Sequence, residues 1–530
     1  MDKVIVPGLR IFIIIATISI ISLGCMNSEN KKTTATTGIA IKEIIYDVSP
    51  IDSSAIVTFF IKYPKLTPYK KQVIAVYFKQ DYNYIWYDKK GKKETADVLN
   101  DKLNNIDKEG IPFPIPYKAI FDNLFLNGSA KPNVETELFL TSYYFYYTSK
   151  VIQGIDADKT AELGWYLPRK KLSCENYLDS LLVYPEKNSE KKQLLGQYYK
   201  LKSVLQNYRE LEKKGGWTTI TPEADFKSFR IGDSSKTILQ IRNRLFLTSD
   251  ISTDSKSAVF DKSLLAGLLN YKAQNGFKLD SLILPKHIAD MNIPIGERIK
   301  TIMVNMERCR WIPADITKAK AFIVINIPSY RLTFFKNDKI VLSSNVVVGT
   351  EMNKTVVFSG MMRYIVFNPY WNVPTSILKK EILPAIKKNK HYLTNHNMEW
   401  HNGGVRQKPG PSNSLGLVKF LFPNSNNIYL HDTPSKNLFD KETRAFSHGC
   451  IRVAKPKELA YTVLEDNPNW TKEKIDAAMD AGKESWCTLK NEIPVYIGYF
   501  TSWVDSQNKI HFYNDVYKRD ARLLEQLIKE

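Results

Sequence analysis

The chain of 530 residues contains little cysteine and lacks several motifs that identify common enzyme classes. Its five cysteines are too few for the disulfide framework that holds small secreted scaffolds together. It has no CxxC pair, no HExxH, no GxxxxGK(S/T) and no dinucleotide-binding glycine fingerprint. Zinc proteases, P-loop nucleotidases and Rossmann dehydrogenases are therefore not expected.

What the chain does contain is a large share of apolar and basic residues. Hydrophobic residues make up 43% and aromatic residues 12%, which is enough for buried cores and excludes an intrinsically disordered chain. The length favours about two to four domains. Lysine and arginine total 75 against 55 acidic residues, a net charge of +20. Such an excess suits an anionic partner: nucleic acid, a membrane surface or an acidic polymer.

The N-terminus predicts the compartment. Lys3 and Arg10 precede an apolar run at 11–23, which is too short to span a bilayer and is typical of an export signal. Gly24 followed by Cys25 resembles a lipoprotein cleavage site, at which Cys25 would be acylated. An ordinary cleaved signal and an uncleaved anchor remain alternatives. Export removes nucleic acid from the expected partners and leaves anionic lipids or carboxylate-bearing wall peptides.

Residues 50–227 form a lysine- and tyrosine-rich region in which we expect a helical scaffold. Its periodicity predicts helices at 93–106, 136–154 and 190–213. Four tyrosines have a helical spacing that favours a buried face over an aromatic patch for glycans: Tyr143, Tyr144, Tyr146 and Tyr147.

Residues 228–313 form a second helical region. Ser234 and Ser235 predict an N-cap before a stripe at 238–245, and a second apolar face follows at 264–269. A third stripe contains Ile299, Ile302, Met303 and Met306. This order, with the segment NGFKLD between helices, resembles the small three-helix peptidoglycan-binding module found beside wall enzymes. A helical spacer that contacts no glycan is the alternative.

Beyond residue 320 the hydrophobic period changes to two, which predicts strands. The expected strands are 321–327, 331–335, 339–349, 363–367, 428–430 and 495–500. Residues 375–412 interrupt them with a helical pattern followed by a polar loop, which favours a lid; an insertion that never covers a site is the alternative. The expected fold class is α+β and multidomain. The domains are a signal peptide (1–24), a polar linker (25–49), the scaffold (50–227), the helical module (228–313) and a β-rich domain (314–530).

One cluster of residues carries the chemistry of a nucleophile. Cys450 lies 19 positions after His431 and two after His448. A cysteine nucleophile needs a nearby imidazole, because a free thiol is mostly protonated at neutral pH. Gly449 permits a tight backbone approach, so that amide groups around 448–450 can face a developing oxyanion. A metal site and a buried thiol are alternatives, although no further ligand stands at short spacing.

The complete pattern is more specific. SHGCIRV preceded by YLHDTP closely resembles the active-site signature of L,D-transpeptidases with a YkuD-type catalytic domain. The segments NPYWNVP, GPSNSLG and ERCRWIP resemble the YcbB-type branch of that family. The resemblance covers residues 228–500 and implies a β-rich catalytic domain at 314–530 with a lid at 375–412.

The resemblance implies a role for each residue of the cluster. Cys450 would be the nucleophile and His431 its base, with Asp432 orienting the imidazole through its backbone. His448, Gly449 and the Cys450 amide would shape the oxyanion pocket. The substrate-binding candidates are Arg444, Arg452, Tyr429, Trp371 and Ser447. For the two arginines a structural ion pair, and for Trp371 buried packing, are the alternatives. Many relatives have Asn at the position of Arg452.

The implied reaction joins two peptidoglycan stem peptides. Cys450 would take an acyl group from the third residue of a tetrapeptide donor as a thioester, and an acceptor amine would then form a 3→3 cross-link. No metal or organic cofactor is expected, and carbapenems should acylate the enzyme. The alternatives are an L,D-carboxypeptidase that releases the acyl group to water and a non-catalytic wall-binding lipoprotein.

The remaining expectations concern the envelope and the other thiols. We expect a membrane-anchored lipoprotein on the periplasmic side of the cell envelope. Cys174 and Cys309 are expected to be inert buried thiols, and Cys487 has no histidine near it in sequence. Disulfide pairing, oligomeric state, protein partners, the membrane leaflet and the diamino acid of the stem stay open.

Overall fold

The structure is a computed structural model that describes residues 45–127, 131–169, 178, 194–316 and 318–529. The expected signal peptide, Cys25 and Cys174 lie outside these residues. Within the described ranges, no helix is both long and apolar enough to cross a bilayer. The expected domain boundaries stay predictions.

A central helix that is buried on every side organises the N-terminal region. The elements are α1 (Ser53–Lys62), α2 (Lys70–Lys79), β1 (Tyr87–Asp88), β2 (Gly91–Lys92), α3 (Glu94–Asn104), α4 (Lys118–Asn127), α5 (Val134–Tyr147), α6 (Ala157–Glu162), β3 (Trp165–Tyr166) and α7 (Gly196–Lys213). Asn133 caps α5 by accepting a hydrogen bond from the Thr136 N–H at 2.9 Å. Because α5 is buried from Thr136 to Tyr147, it occupies the centre of a helix cluster. The prediction that its four tyrosines face a core is confirmed.

A buried carboxylate ties α5 to the segment before β1. Glu137 accepts hydrogen bonds from the Tyr77 hydroxyl at 2.8 Å, the Ile85 N–H at 2.6 Å and the Trp86 N–H at 3.1 Å. Burial raises the pKa of Glu137 to about 7, although these hydrogen bonds favour the ionised form. The carboxylate therefore titrates near neutral pH inside the scaffold.

The helical module has its own apolar core. The three helices α8 (Lys236–Leu247), α9 (Lys262–Gln274) and α10 (Pro285–Met291) share that core. Ser235 caps α8 by accepting from the Ile238 N–H at 3.3 Å, as predicted. The third predicted stripe lies in α11 (Ile295–Trp311), which packs against α7 and into the core of the β-rich domain. The third helix of the module is instead the shorter α10.

The β-rich domain is a sheet that closes on itself. Its elements are β4 (Ala321–Asn326), β5 (Arg331–Lys336), β6 (Lys339–Gly349), β7 (Val357–Phe367), β8 (Trp371–Asn372), α12 (Thr375–Ile377), α13 (Leu383–Lys388), α14 (Tyr392–Asn395), β9 (Met398–His401), β10 (Gly404–Gln407), β11 (Val418–Leu421), β12 (Leu430–His431), β13 (Ala445–Ser447), β14 (Ile451–Val453), α15 (Pro456–Leu464), α16 (Lys472–Asp480), β15 (Ser485–Gly498), β16 (Ser502–Val504), β17 (Ile510–Phe512) and α17 (Asp520–Lys529). The strand order is β11-β12-β14-β6-β5-β4-β15-β7-β3, and β7 also pairs with β11. The two pairings of β7 close the sheet, because it borders both β15 and β11.

The insertion at 375–412, called the lid below, has a small core of its own. A π-helical turn at Leu378–Ile382 joins α12 to α13, and β8, β10 and β9 form a separate three-stranded sheet. The predicted helical half is confirmed, but the expected polar loop contains the hairpin β9–β10. Asn402 and Gly403 turn this hairpin with φ of 49° and 75°, the conformation that an Asn-Gly turn adopts between paired strands.

Candidate active site

The candidate residues lie on one face of three neighbouring strands. Lys419 of β11 is paired with His431 of β12, and His431 is paired with Arg452 of β14. Directly paired residues point to the same face of a sheet, as do residues two apart along a strand. Tyr429 and Cys450 precede His431 and Arg452 by two positions, and the Ile451 N–H donates to the Tyr429 carbonyl at 3.1 Å. The sheet register therefore brings the thiol and the imidazole to one surface.

A hydrogen-bonded turn fixes the backbone at Cys450. The Ser447 hydroxyl accepts from the Gly449 N–H at 3.1 Å and donates to the Cys450 carbonyl at 2.5 Å. The Thr355 hydroxyl donates to the Gly449 carbonyl at 2.8 Å. Gly449 has a φ of +118°, which side-chain-bearing residues rarely adopt. Because the Gly449 N–H is already bound, the His448 and Cys450 N–H groups are the donors of this turn that have no acceptor within the described part of the chain.

Burial opposes ionisation of the Cys450 thiol. Desolvation raises the pKa of Cys450, while hydrogen bonding to Tyr429 and the charges of Lys419 and Arg452 act in the opposite direction. The sulfur lies 3.6 Å from the Asn427 carbonyl, to which it donates. The thiol is therefore predominantly protonated at neutral pH in the free protein.

His431 is held in one orientation and kept neutral. Its Nδ1 donates to the Asp432 carbonyl at 2.5 Å, which leaves Nε2 without a proton in the neutral ring. Burial, together with the positive charges of Arg452 and Lys419, lowers the pKa of His431 to about 3. The Asp432 carboxylate serves the local backbone instead: it accepts from the Leu417 N–H at 2.9 Å and from the Thr433 N–H at 2.6 Å.

The two candidate arginines occupy different surroundings. Arg452 lies beside Cys450 and His431, and its Nε is buried without a hydrogen-bond partner in the described chain. Burial lowers the pKa of Arg452. Arg444 donates to the Lys441 carbonyl at 2.7 Å and stacks over the Tyr330 ring at 5.1 Å. The geometry thus brings Arg452, but not Arg444, into the charge environment of the thiol.

The other candidates lie at the edges of this surface. The Tyr429 ring stands 5.7 Å from the His431 ring and contacts the Lys419 ammonium at 3.8 Å. Trp371 packs half-buried against the apolar core of the lid. His448 is exposed, and its Nε2 lies 2.8 Å from an Oε1 oxygen of Glu381 in the lid. The lid therefore touches the loop that carries the cysteine.

The sequence pattern did not predict Lys419 and Glu484 as residues of this site. Both line a cavity of about 220 Å³ between the lid and the sheet. A lysine in the otherwise apolar strand β11 is the sequence signal that could have identified Lys419. Glu484 carries no such signal, because it precedes β15 in a polar segment.

The remaining thiols lie away from this cluster. Cys309 and Cys487 are free and buried, and burial raises the pKa of both. Within the described ranges, no group of three or more His, Cys, Asp or Glu side chains could hold a metal ion.

Two family models match the chain. Residues 320–475 match the L,D-transpeptidase catalytic domain (YkuD), and residues 71–213 match a Scaffold domain. A Haemophilus influenzae protein with the curated name "Putative L,D-transpeptidase" is 32% identical over 243 residues. That match covers 42% of this chain and 48% of the relative, so the chain spans about half the length of the curated relative.

The solved structures that the chain matches include L,D-transpeptidases from Xylanimonas cellulosilytica and Mycobacterium smegmatis. Both are 11% identical to this chain, with TM-scores of 0.18 and 0.20. The match to the first structure covers 52% of this chain and 100% of the matched chain. The match to the second covers 34% of this chain and 58% of the matched chain.

The match over residues 320–475, which contain most strands of the closed sheet, defines the class of that part of the chain: it is an L,D-transpeptidase catalytic domain. That domain belongs to the YkuD family, as the motifs SHGCIRV and YLHDTP predict. Membership of the YcbB-type branch stays a prediction.

Proposed function

We propose that the protein is a peptidoglycan L,D-transpeptidase that forms 3→3 cross-links through a thioester on Cys450. The observation that carries the proposal is the placement of Cys450 and a neutral, oriented His431 on one sheet face inside a domain of this family. A neutral imidazole with a free Nε2 can accept a proton, which an imidazolium cannot.

The first half-reaction transfers an acyl group from the donor stem to sulfur. His431 Nε2 takes the thiol proton as Sγ attacks the carbonyl of the third stem residue, and the Cys450 N–H stabilises the oxyanion. The carbon–nitrogen bond to the terminal D-Ala then breaks. His431 returns the proton to the departing amine, which leaves the Cys450 thioester and a neutral imidazole.

The second half-reaction transfers the acyl group to an amine of a neighbouring stem. The amine attacks the thioester and gives a proton to His431 Nε2, the carbon–sulfur bond breaks, and the proton passes to sulfur. The lid favours this outcome over hydrolysis by excluding water. Arg452, whose guanidinium is incompletely bonded, is proposed to bind a stem carboxylate.

The proposed setting is the periplasmic side of the cell envelope. Cys25 is proposed as the lipidated residue of a membrane-anchored lipoprotein, with the polar segment after it as a tether. Donor and acceptor stems of the peptidoglycan are the partners of the catalytic domain.

Intact-protein mass after incubation with a disaccharide tetrapeptide tests this proposal. We expect a mass increase equal to the disaccharide-tripeptide acyl group, which is the substrate without its terminal D-Ala, lost in Cys450→Ala and kept in the matched control Cys487→Ala, whose thiol is buried in β15. His431→Ala should slow acylation by about 100- to 10,000-fold, the usual contribution of a general base. Absence of any thioester would contradict the proposal. Tripeptides without 3→3 dimers would replace the transpeptidase with an L,D-carboxypeptidase.

A further inference from the structure

A buried threonine holds the peptide group that carries the proposed oxyanion donor. The Thr355 hydroxyl accepts a hydrogen bond from the Gly349 N–H at 2.9 Å and donates one to the Gly449 carbonyl at 2.8 Å. Thr355 is fully buried, in the segment between β6 and β7. Because the Gly349 N–H supplies the hydrogen of the first bond, the single hydroxyl proton of Thr355 is committed to Gly449.

The Gly449 carbonyl and the Cys450 N–H belong to the same peptide group. A trans peptide is planar, so its C=O and N–H bonds point in opposite directions. Within the described ranges, the bond from Thr355 is the only hydrogen bond that this peptide group makes. The Thr355 hydroxyl therefore sets the orientation of the Cys450 N–H, which points away from Thr355 and stays available to a ligand.

A tyrosine between β17 and α17 holds Thr355 in this position. The Tyr517 hydroxyl accepts from the Thr355 N–H at 3.1 Å and donates to the Gly349 carbonyl at 2.8 Å. Tyr517 thus binds the same two residues that the threonine hydroxyl joins, and the four hydrogen bonds form a closed network beside the cysteine turn. A β-carbon at Gly349 would lie 2.0 Å from the Asn353 carbonyl oxygen, so the chain between Gly349 and Thr355 is closely packed.

Tyr517 is itself fixed by buried partners. Its N–H donates to the Tyr499 hydroxyl at 2.8 Å, and the Tyr499 hydroxyl donates to Asp515 at 2.5 Å. The rings of Tyr499 and Tyr517 also stack, with their centroids 5.6 Å apart. All three residues lie beyond the range 320–475 that matches the family model. A segment outside the matched domain therefore contributes to the network that orients the Cys450 N–H.

We infer that Thr355 and Tyr517 are positioning residues for acyl transfer: Thr355 orients the Cys450 N–H toward the developing oxyanion, and Tyr517 holds Thr355 in place. The inference rests on the proposed function, because it names residues that this reaction requires outside the cysteine and histidine motifs. Both side chains are buried, so they act through the turn and not by contact with substrate. An oriented donor stabilises charge that appears only in the transition state, so its loss slows acylation without weakening substrate binding.

Two reactions of the same thiol test the inference in the full-length protein. Thioester formation with a disaccharide tetrapeptide develops an oxyanion, whereas alkylation by iodoacetamide displaces iodide and develops none. We expect Thr355→Val, which keeps the shape and removes the hydroxyl, to lower the maximal rate constant of acylation by about 10- to 100-fold. The substrate concentration for half-maximal rate and the alkylation rate of Cys450 should stay within about twofold of wild type. Thr355→Ser restores the hydroxyl and should acylate within about threefold of wild type.

Tyr517→Phe keeps the ring and removes only the hydroxyl, so it tests the network even where Thr355→Val fails to fold. We expect the same pattern with a smaller loss of acylation, about 3- to 30-fold, because Thr355 keeps its own bond to Gly449. Thr148→Val and Tyr143→Phe are the matched controls and should acylate as the wild type does. Both are buried scaffold residues whose hydroxyls donate to backbone carbonyls, at 2.9 Å and 2.7 Å.

The comparison of acylation with alkylation separates positioning from a merely structural role. Wild-type acylation rates in the folded Thr355 and Tyr517 variants would overturn the inference, and so would equal losses of acylation and alkylation. Either result leaves the transpeptidase proposal standing. A wild-type protein that forms no thioester would instead contradict the proposed function.

Discussion

At the scale of single residues, the same burial acts on the thiol and on the imidazole. It raises the pKa of Cys450 and lowers the pKa of His431 to about 3. Both effects favour the neutral forms, so the free protein does not hold a thiolate–imidazolium pair. The proton must move during attack on the substrate, and the nucleophile is thereby protected from unspecific chemistry between turnovers.

Alkylation of Cys450 by iodoacetamide should therefore depend steeply on pH. A raised pKa means that the thiolate fraction grows about tenfold per pH unit from pH 7 to the ordinary thiol range near 8.5 and continues to rise beyond it. His431 stays neutral throughout this range, because its pKa is about 3. Second-order rates from mass spectrometry, corrected by the Cys450→Ala variant, give the profile. A rate that is flat from pH 5 to pH 8 would indicate a preformed ion pair instead.

Sequence alone located the reactive residues because the motif keeps them close along the chain. It did not locate Lys419 or Glu484, since their neighbours are set by the register of β11 against β12 and by the position of the lid. The protonation state of His431 could not be predicted from the sequence either. It depends on burial and on two cations that come from separate strands.

At the scale of elements, the lid and the cysteine loop meet in one exposed contact. His448 Nε2 and Glu381 Oε1 are 2.8 Å apart, with both side chains about half exposed. Exposed pairs of this kind contribute about 0–1 kcal/mol. We therefore expect the contact to be weak enough to open for substrate.

Removal of this contact should change how the thioester is divided between hydrolysis and cross-linking. We expect Glu381→Gln to raise the ratio of hydrolysis to cross-linking by up to about fivefold, because a more open lid admits water. Product analysis of trimmed stems and dimers measures the ratio. Glu492→Gln, which removes an exposed ion pair with Arg363 outside the lid, should leave it unchanged. An unchanged ratio in Glu381→Gln would show that the contact does not control water entry.

A second element, the central scaffold helix α5, carries a pH-dependent group. Glu137 has a folded pKa of about 7, above the ordinary value of 4.5. The folded protein therefore binds this proton more tightly, and the associated stability is complete below pH 4.5 and is lost as the pH rises to about 7.

Glu137→Gln should remove this part of the pH dependence. From pH 5 to pH 8 the free energy of unfolding should fall in both proteins. We expect the fall in the variant to be smaller than the fall in the wild type by about 2–3 kcal/mol. Denaturant unfolding at the two pH values measures the difference. Glu135→Gln is the control on the same helix: the pKa of Glu135 is lowered, so its contribution changes below pH 4.5. Parallel curves for Glu137→Gln and the wild type would contradict the assignment.

The elements themselves were largely predictable, with exceptions that have physical causes. Apolar residues located β4, β5 and β6 closely, because each strand contributes several side chains to the core. The hairpin β9–β10 was missed since its short strands are polar and pair inside the lid, although Asn402-Gly403 is a strong turn signal. The packing partner of α11 could not be predicted from its apolar stripe. Such a stripe shows that one face of a helix is buried, but it does not show which element covers that face.

At the scale of the whole molecule, the scaffold and the catalytic domain share one apolar core. Trp165 of β3 stacks edge-on against Trp311 of α11 at 5.0 Å and against Phe500 at 6.0 Å. β3 also pairs in parallel with the first residues of β7. The N-terminal region is thus a structural part of the catalytic sheet.

Truncation of Trp165 should consequently destabilise the molecule as a whole. We expect Trp165→Ala to lower the free energy of unfolding by about 3–5 kcal/mol, the usual loss for a buried tryptophan. Trp400→Ala, which alters an exposed tryptophan of the lid, should change it by less than about 0.5 kcal/mol. Chemical denaturation measures both variants. Equal stabilities would show that the β3 contact is peripheral.

The pairing of β3 with β7 also bears on the order in which the chain is made. Residues 165–166 leave the ribosome well before Val357, and β3 lies along the same edge of β7 that β11 occupies further on. The segment that covers the start of this edge is therefore already synthesised when the edge first forms. A nascent chain that keeps its N-terminal region attached exposes less of this edge to neighbouring copies, and edge-to-edge pairing between growing chains is correspondingly suppressed.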